Sequence, residues 1–185
     1  MQLEEILNKR KSCRAFLDRP IDLQLLHSII SKAARAPSNG NLQPWQIYIV
    51  TGAALASLKQ TTKQLVDDQV PLQTPEYQVY PTPLKDMYDR RRREIGEDLY
   101  RVLGIPREDK QKRRGQFAKN ALMFNAPVGV FAYIDRSLSY GQWMDLGMYI
   151  QSVMLLSEGH GLATCAQGYW TFFHETVRQT TGAPD

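Results

Sequence analysis

The chain of 185 residues has little cysteine and no long apolar run, and both absences limit what it can be. Its two cysteines, Cys13 and Cys165, lie far apart, so the sequence offers neither a disulfide framework nor a CxxC metal site. No run of about 18 apolar residues is present, and the first residues form neither a basic nor an apolar leader segment. The sequence therefore predicts a protein of the reducing cytoplasm that is neither secreted nor membrane-spanning.

Familiar catalytic motifs are also missing. The three histidines, His27, His160 and His174, lack HExxH or related spacing, which argues against a metal site. The chain has no GxGxxG, Walker or GxSxG motif. A chain this poor in candidate acids, bases and nucleophiles would rely on a bound cofactor for a difficult step, and hydride transfer fits that description.

The composition is that of one packed domain, and its positive charge is unevenly placed. Hydrophobic residues make up 43% of the chain and charged residues 23%, which fits a single domain over 1–185. Residues 85–119 hold 12 Lys or Arg against 7 Asp or Glu, whereas the rest is close to neutral. A solvated basic surface is the common outcome for such a segment, and a nucleic-acid-binding module is the alternative function.

Short apolar patterns predict strands separated by helices. β-Branched or apolar runs predict strands at 46–51, 127–134 and 162–166. Periodicity and stop signals predict helices near 3–9, 23–36, 53–66, 142–158 and 173–182, with two more between 84 and 125. Because sheet and helices must share one core, this order predicts an α+β or α/β fold.

The segment of about 67–125 is predicted to be a helical insertion. Its four prolines between 67 and 83 exclude a regular helix there and predict a surface loop. On the first of its two helices, these residues are predicted to face inward: Tyr88, Ile95, Leu99 and Val102. The second helix is predicted to open at Pro106 and to carry these apolar residues: Phe117, Ala121 and Phe124.

Three segments carry chemistry, and the first is basic. Arg10, Ser12 and Arg14 alternate, so an extended backbone would project them to one side, about 6–7 Å apart. Two guanidinium groups flanking a hydroxyl suit a phosphate. The alternative is a solvated basic turn after a helix, where cations complement the helix dipole.

The second segment, 36–45, is a run of small and polar residues between a helix and a strand. It presents side-chain amides, a hydroxyl and a flexible backbone at a sheet edge and ends in Pro44 and Trp45. A helix-stop loop in which Trp45 plugs the core is the alternative, although it does not explain the run of donors and acceptors.

The third segment, 161–170, is a predicted strand followed by aromatics. Gly168 would let a flat ligand approach the backbone closely. Trp170, Phe172 and Phe173 could wall an apolar pocket, although aromatics after a strand are more often core residues. Cys165 fits an inert buried thiol better than a nucleophile.

Together, residues 10–14, 36–45 and 161–167 resemble the three signature regions of the nitroreductase family of FMN-dependent oxidoreductases, in order and spacing. The resemblance also includes the helix entry at 143–147. It implies an α+β fold, an α/β/α sandwich whose central, mostly antiparallel sheet is flanked by helices, in a homodimer with FMN at the subunit interface. The family normally continues past the last helix, so its C-terminal strand and tail are expected to be missing from 1–185.

The resemblance also implies residue roles. The FMN phosphate and ribityl chain would be held by Arg10, Lys11, Ser12 and Arg14. The loop that the partner subunit lays against the same flavin would include Pro37, Ser38, Asn39 and Asn41. The backbone beside the flavin N5 edge would be that of Ala166, Gln167 and Gly168. Trp170 and Phe173 would line the substrate pocket, and neither a side-chain acid or base nor a metal is expected.

The implied reaction is a ping-pong transfer of hydride from NADH or NADPH, through FMN, to an electron-poor acceptor such as a small nitroaromatic or a quinone. The pattern over 75–106 resembles a subgroup that acts on nitrobenzoate-type substrates. Other flavin chemistry on the same fold is the alternative: quinone or enone reduction, dehalogenation or flavin breakdown. No nucleic-acid or membrane partner is expected.

Overall fold

Seven α-helices and one two-stranded sheet form the regular structure of residues 2–184, the part of the chain that the computed structural model describes. The helices are α1 (Leu3–Lys9), α2 (Leu23–Ala33), α3 (Gly52–Asp67), α4 (Asp86–Val102), α5 (Lys110–Ala118), α6 (Tyr140–Gly159) and α7 (His174–Thr181). The strands are β1 (Gln46–Thr51) and β2 (Val128–Tyr133). The content is α+β, as predicted.

The two strands pair in antiparallel fashion, with Gln46 opposite Tyr133 and Thr51 opposite Val128. Val50 and Phe131 face the core from the inner side of this sheet. The prediction of a third strand at 162–166 is wrong. This segment pairs at one position only, through a parallel bridge between Ser12 and Thr164. Two short segments that meet at a single point cannot continue a hydrogen-bonded ladder.

The core lies between the inner face of this sheet, α3, α7 and a short 3₁₀ helix at Gly168–Phe173. Leu55 and Leu58 of α3 and Val177 of α7 are almost fully buried there. Thr62 is buried as well, and its hydroxyl lies 2.9 Å from the carbonyl oxygen of Ala121, so α3 is tied to the segment that precedes β2. A buried hydroxyl needs such a partner.

The second insertion helix differs from its prediction at both ends. α5 begins at Lys110, where Asp109 caps it by accepting a hydrogen bond from Lys112 N at 3.0 Å. It ends at Ala118, and 119–125 forms a 3₁₀ helix that closes in a left-handed turn at Met123, Phe124 and Asn125 (φ 49°, 52° and 66°). This turn directs the Met123 and Phe124 side chains into the protein, where both are buried.

The apolar stripe of α4 was predicted to face inward, and this prediction is wrong. No residue of α4 is buried, and Ile95 and Val102 are 69% and 82% exposed. The helix is held to α5 by polar contacts instead: Arg113 Nη1 donates to Glu97 at 2.9 Å and its guanidinium lies 4.1 Å from the centre of the Tyr100 ring. Leu99 of the stripe is only partly buried, so α4 contributes no buried residue to the core.

The proline-rich loop before α4 crosses the surface, as predicted, and is attached at several points. Gln73 N donates to Phe172 O at 3.2 Å, and Glu175 N donates to Gln73 Oε1 at 3.1 Å. Farther along, the Tyr77 ring packs edge-on against Trp143 with 4.8 Å between ring centres. The loop therefore lies across the beginning of α7 and reaches α6.

α6 packs against α1 and α2 on one side and leaves apolar residues on the other. Tyr149 is buried, whereas Trp143, Met144 and Met148 are exposed. No helix within 2–184 is long and apolar enough to cross a membrane.

Candidate functional site

Two of the three predicted segments lie side by side. Ser12 and Thr164 form the parallel bridge, and Cys13 N donates to Thr164 O at 2.9 Å. This contact joins segment 10–14, which follows α1, to segment 161–168, which follows α6. Residues about 150 positions apart in sequence thus form one local surface.

The cations of the first segment are available to an anion. Within residues 2–184, Arg10, Lys11 and Arg14 form no ion pair with a carboxylate; the one hydrogen bond of Arg14 is to Ser12 O, at 3.4 Å. The Ser12 side chain is exposed beside them. Three unneutralised cations and a hydroxyl within five residues fit a phosphate group.

The second half of this surface is exposed backbone. Ala166 and Gly168 are exposed, and the N–H of Gln167 has no acceptor among residues 2–184. A Cβ at Gly168 would lie 3.5 Å from Val79 Cγ1, an ordinary contact, so the chain itself does not require glycine there. The available N–H and the lack of a side chain fit a flat ligand with an acceptor atom at its edge.

The 3₁₀ segment 119–125 forms hydrogen bonds with both parts of the chain that make this surface, the one that follows α1 and the one that follows α6. Gln167 Nε2 donates to Asn120 Oδ1 at 2.9 Å, while Phe16 N donates to Phe124 O at 3.2 Å. Trp170 Nε1 in turn donates to Gln167 Oε1 at 3.3 Å. The Gln167 side chain is therefore used internally, which leaves its backbone to face a ligand. Sequence reasoning missed Asn120, because it lay inside a predicted helix and carried no motif.

The second segment, the polar loop, packs on α6. Asn39 N donates to Asp145 Oδ2 at 3.1 Å, and Asp145 is buried. Within the loop, Gln43 N donates to Ser38 Oγ and Gln43 Nε2 donates to Asn41 Oδ1, each at 3.0 Å. Asp145 belongs to the helix entry at 143–147, but the sequence pattern gave no sign that it holds the loop.

The end of the loop is fixed by aromatic packing. Trp45 stacks on Tyr149 with ring centres 4.8 Å apart and planes 19° apart. The Tyr149 hydroxyl donates to Ile30 O at 3.1 Å, and burial raises the pKa of Tyr149 to about 12. Trp45 is partly buried and packs on α6, so it does not plug the core described above, while Asn39 and Asn41 are exposed.

Within one chain the loop does not complete the surface. No hydrogen bond joins residues 37–41 to segments 10–14 or 164–168 in the part of the chain described. The structure thus brings together the first and third predicted segments, and the second, the polar loop, is hydrogen-bonded to α6 instead.

Comparison with known proteins decides the family. A family model described as "Nitroreductase family" matches residues 7–185. The chain belongs to the nitroreductase family. The nitrobenzene nitroreductase of Ectopseudomonas oleovorans is 33% identical over 183 residues, which is 99% of this chain and 81% of that protein. A 4-nitrobenzoate reductase of Nocardioides sp. (strain LMS-CY) is also 33% identical, over 98% of this chain and 74% of its own length.

Solved structures agree with this family. The crystal structure of the FMN and NADPH-dependent nitroreductase NfnB from Sphigopyxis sp. strain HMH matches with a TM-score of 0.96 and 44% identity, over 100% of this chain and 83% of that one. NfnB from Mycobacterium smegmatis, solved in complex with NADPH, matches with a TM-score of 0.91 and 26% identity, over 98% and 81%. The predicted family and the prediction of a nitroreductase enzyme are confirmed.

In this nitroreductase the aromatics after the third segment are core residues. Trp170 and Phe173 are 8% and 2% exposed and pack against Phe131 and Tyr169. This is the alternative that the sequence left open for them, and within one chain their rings do not form the wall of an open pocket. Large rings beside a two-stranded sheet gain more by covering it than by facing solvent.

The Cys165 thiol is half-buried rather than fully buried. Burial raises its pKa, and the nearby Arg14 opposes that effect only in part. The direction fits the prediction that Cys165 is not a catalytic nucleophile.

Proposed function

We propose that the chain binds FMN and transfers reducing equivalents from NADPH or NADH to an electron-poor aromatic acceptor, above all a nitroaromatic. The observation that carries this proposal is the surface formed by segments 10–14 and 164–168, where available cations lie beside accessible backbone N–H groups. The named activities of the related enzymes support the choice of cofactor and acceptor.

The basic segment would hold the phosphate end of FMN. Arg10 and Arg14 supply charge-assisted hydrogen bonds, Lys11 adds positive charge, and the Ser12 hydroxyl can donate to phosphate or ribityl oxygen. Because these cations have no carboxylate partner within 2–184, no internal ion pair has to break when phosphate binds.

The backbone of 166–168 would lie along the ring edge. The N–H of Gln167 is available to a ring nitrogen, and the bond from Gln167 to Asn120 keeps that backbone in place. Bound there, FMN would supply the hydride-transfer chemistry between nicotinamide and acceptor. The protein then needs no side-chain nucleophile, and its task is to bind, orient and exclude water.

A homodimer would complete the site. The exposed face of α6 that carries Trp143, Met144 and Met148 adjoins the loop held by Asp145, and apolar faces of this kind are typical of subunit contacts. In the proposed dimer this face is covered by the partner, and Pro37, Ser38, Asn39 and Asn41 reach the FMN that the other subunit holds. A cytoplasmic location stays a prediction.

Nicotinamide and acceptor would occupy the same position in turn, which gives ping-pong kinetics. Initial-rate plots against both substrates should then give parallel lines. Intersecting lines would exclude a shared position while leaving FMN binding untouched.

The direct test is a cofactor titration followed by turnover. Purified protein should quench FMN fluorescence with saturable 1:1 stoichiometry per chain. Under nitrogen it should then oxidise more than one equivalent of NADPH per FMN only when nitrobenzene or 4-nitrobenzoate is added. A matched protein with Arg10→Ala and Arg14→Ala should lose the titration signal. Wild-type protein that ignores FMN at high concentration would contradict the proposal.

A further inference from the structure

The two cysteines of the chain are brought into register by the bridge that joins segments 10–14 and 161–168. Ser12 pairs with Thr164 in parallel orientation, so Cys13 and Cys165 are the next residues in the same direction on the two segments. The hydrogen bond from Cys13 N to Thr164 O, 2.9 Å, fixes this register. In a parallel pair, residues in register place their side chains on the same side, with backbones about 4.8 Å apart.

That spacing suits a covalent link. Disulfides form between residues whose Cα atoms lie roughly 4.4 to 6.8 Å apart, and neighbours in register fall in this window. Both cysteines are half-buried free thiols. Each now contacts a local carbonyl oxygen, Cys13 Sγ that of Ala15 at 3.1 Å and Cys165 Sγ that of Ala166 at 3.9 Å. A link between the two sulfur atoms therefore requires both side chains to rotate away from these carbonyls.

We propose that Cys13 and Cys165 form a reversible thiol–disulfide site between the two segments. The oxidant is a low-molecular-weight disulfide such as oxidised glutathione. One cysteine thiolate attacks a sulfur of the oxidant, which releases one thiol; the second cysteine then loses its proton, attacks the mixed disulfide and releases the other thiol. Two protein thiols are oxidised, one oxidant disulfide is reduced to two thiols, and the protein loses two hydrogens.

The surroundings set the speed of this reaction. Burial raises the pKa of Cys165, so little of it is thiolate at neutral pH, and the exchange is slow compared with that of a catalytic dithiol. Arg14, beside Cys165, favours the thiolate and limits this effect.

The link would close a loop of the chain that no other covalent bond closes. It would tie the segment after α1 to the segment after α6 at the point where a single bridge joins them now. The same two segments carry the proposed FMN contacts. The proposed disulfide depends on the backbone register of these segments and can be tested in the absence of FMN.

Intact mass tests the proposal. The purified folded protein is incubated with a series of oxidised-to-reduced glutathione ratios, quenched with acid and weighed. We expect the wild-type chain to lose two hydrogens with no glutathione adduct, to lose both titratable thiols, and to regain them with dithiothreitol. Digestion should give one peptide pair linked through Cys13 and Cys165.

Two single variants, Cys13→Ser and Cys165→Ser, are the matched controls. Each keeps one thiol, so each should gain one glutathione or stay free, and neither should lose two hydrogens. The proposal is overturned if the wild-type chain keeps both thiols under the most oxidising ratio, gains two glutathiones, or forms disulfide-linked dimers on a non-reducing gel while circular dichroism shows it folded.

Discussion

The chain has two basic regions, and they differ in what their cations do. In the insertion six cations face carboxylates one turn away or on the neighbouring helix: Arg90 pairs with Glu94, Arg92 and Arg93 with Asp89, Arg101 with Asp98, Lys112 with Asp109, and Arg113 with Glu97. In the short segment after α1, Arg10, Lys11 and Arg14 have no such partner within 2–184. Half of the 12 cations in 85–119 are thus paired with a carboxylate, whereas none of the three in 10–14 is.

The difference teaches that a count of charges in sequence is a poor guide to an anion site. The insertion carries the larger excess, yet i,i+3 and i,i+4 spacing on a helix neutralises many of its arginines locally. The segment 10–14 is extended, so its side chains have no neighbour one turn away. Backbone conformation, rather than the number of cations, decides which positive charges can meet a phosphate.

The largest expected effect comes from removing the available cations. Arg10→Ala with Arg14→Ala should weaken FMN binding by about 1.5–3 kcal/mol per residue, roughly tenfold or more each, because charge-assisted bonds to phosphate are lost. Arg90→Ala with Arg93→Ala is the control, since it removes two arginines that are already paired. Fluorescence titration measures the FMN affinity of both variants. Equal losses of affinity would show that paired and unpaired arginines do not differ in their contribution to FMN binding.

A second effect concerns a carboxylate instead of a cation. Asp145→Ala leaves the N–H of Asn39 without its acceptor, which should cost about 1–3 kcal/mol and loosen the loop on α6. Weaker FMN retention and weaker dimer formation are expected together, as seen by sizing runs with and without FMN. Glu158→Ala, elsewhere on α6, is the control and should change neither property. If the Asp145 variant keeps a wild-type sizing profile and wild-type FMN affinity, the loop is not part of the FMN site.

Acid should weaken the ion pair between Glu97 and Arg113 in the paired region. The hydrogen bond from Arg113 lowers the pKa of Glu97 below its ordinary value of 4.5, so the pair contributes to stability above that value and loses its contribution as pH falls through the lower, folded-state value. The melting-temperature difference between wild type and Glu97→Gln should therefore shrink as pH drops below about 4.5. The change in melting temperature should be small, because Glu97 is solvent-exposed. A melting-temperature difference that grows as the pH falls would contradict this prediction.

The smallest effect is expected from the insertion as a source of long-range steering. Nitrobenzoate should gain little over nitrobenzene from the arginines at 90–93, since they are largely paired and exposed charges are screened within about 8 Å at physiological salt. The kcat/KM ratio of the two substrates should change less than about twofold on neutralising Arg90, Arg92 and Arg93. A larger loss that disappears at high salt would show that the insertion selects carboxylated substrates.

Much of the fold could be predicted because it depends on local signals. The helix cap at Asp22, the strand Gln46–Thr51 and the strand within 127–134 follow from short-range patterns, and the structure contains all of them. The predicted strand at 162–166 was wrong because its partner is a distant segment that meets it at one residue. Periodicity likewise marked an apolar stripe on α4 but carried no information on whether anything covers it.

The candidate site shows the same division. The motif at 10–14 showed which side chains carry positive charge and hydrogen-bond donors, since residue type decides both, but it left a solvated basic turn open as the alternative. That this motif lies beside 164–168, that Asn120 and Asp145 hold the neighbouring segments, and that Trp170 and Phe173 belong to the core were decided by the tertiary structure. The physical reason is that chemistry is a property of single residues, whereas availability and register depend on which distant groups the folded chain brings into contact.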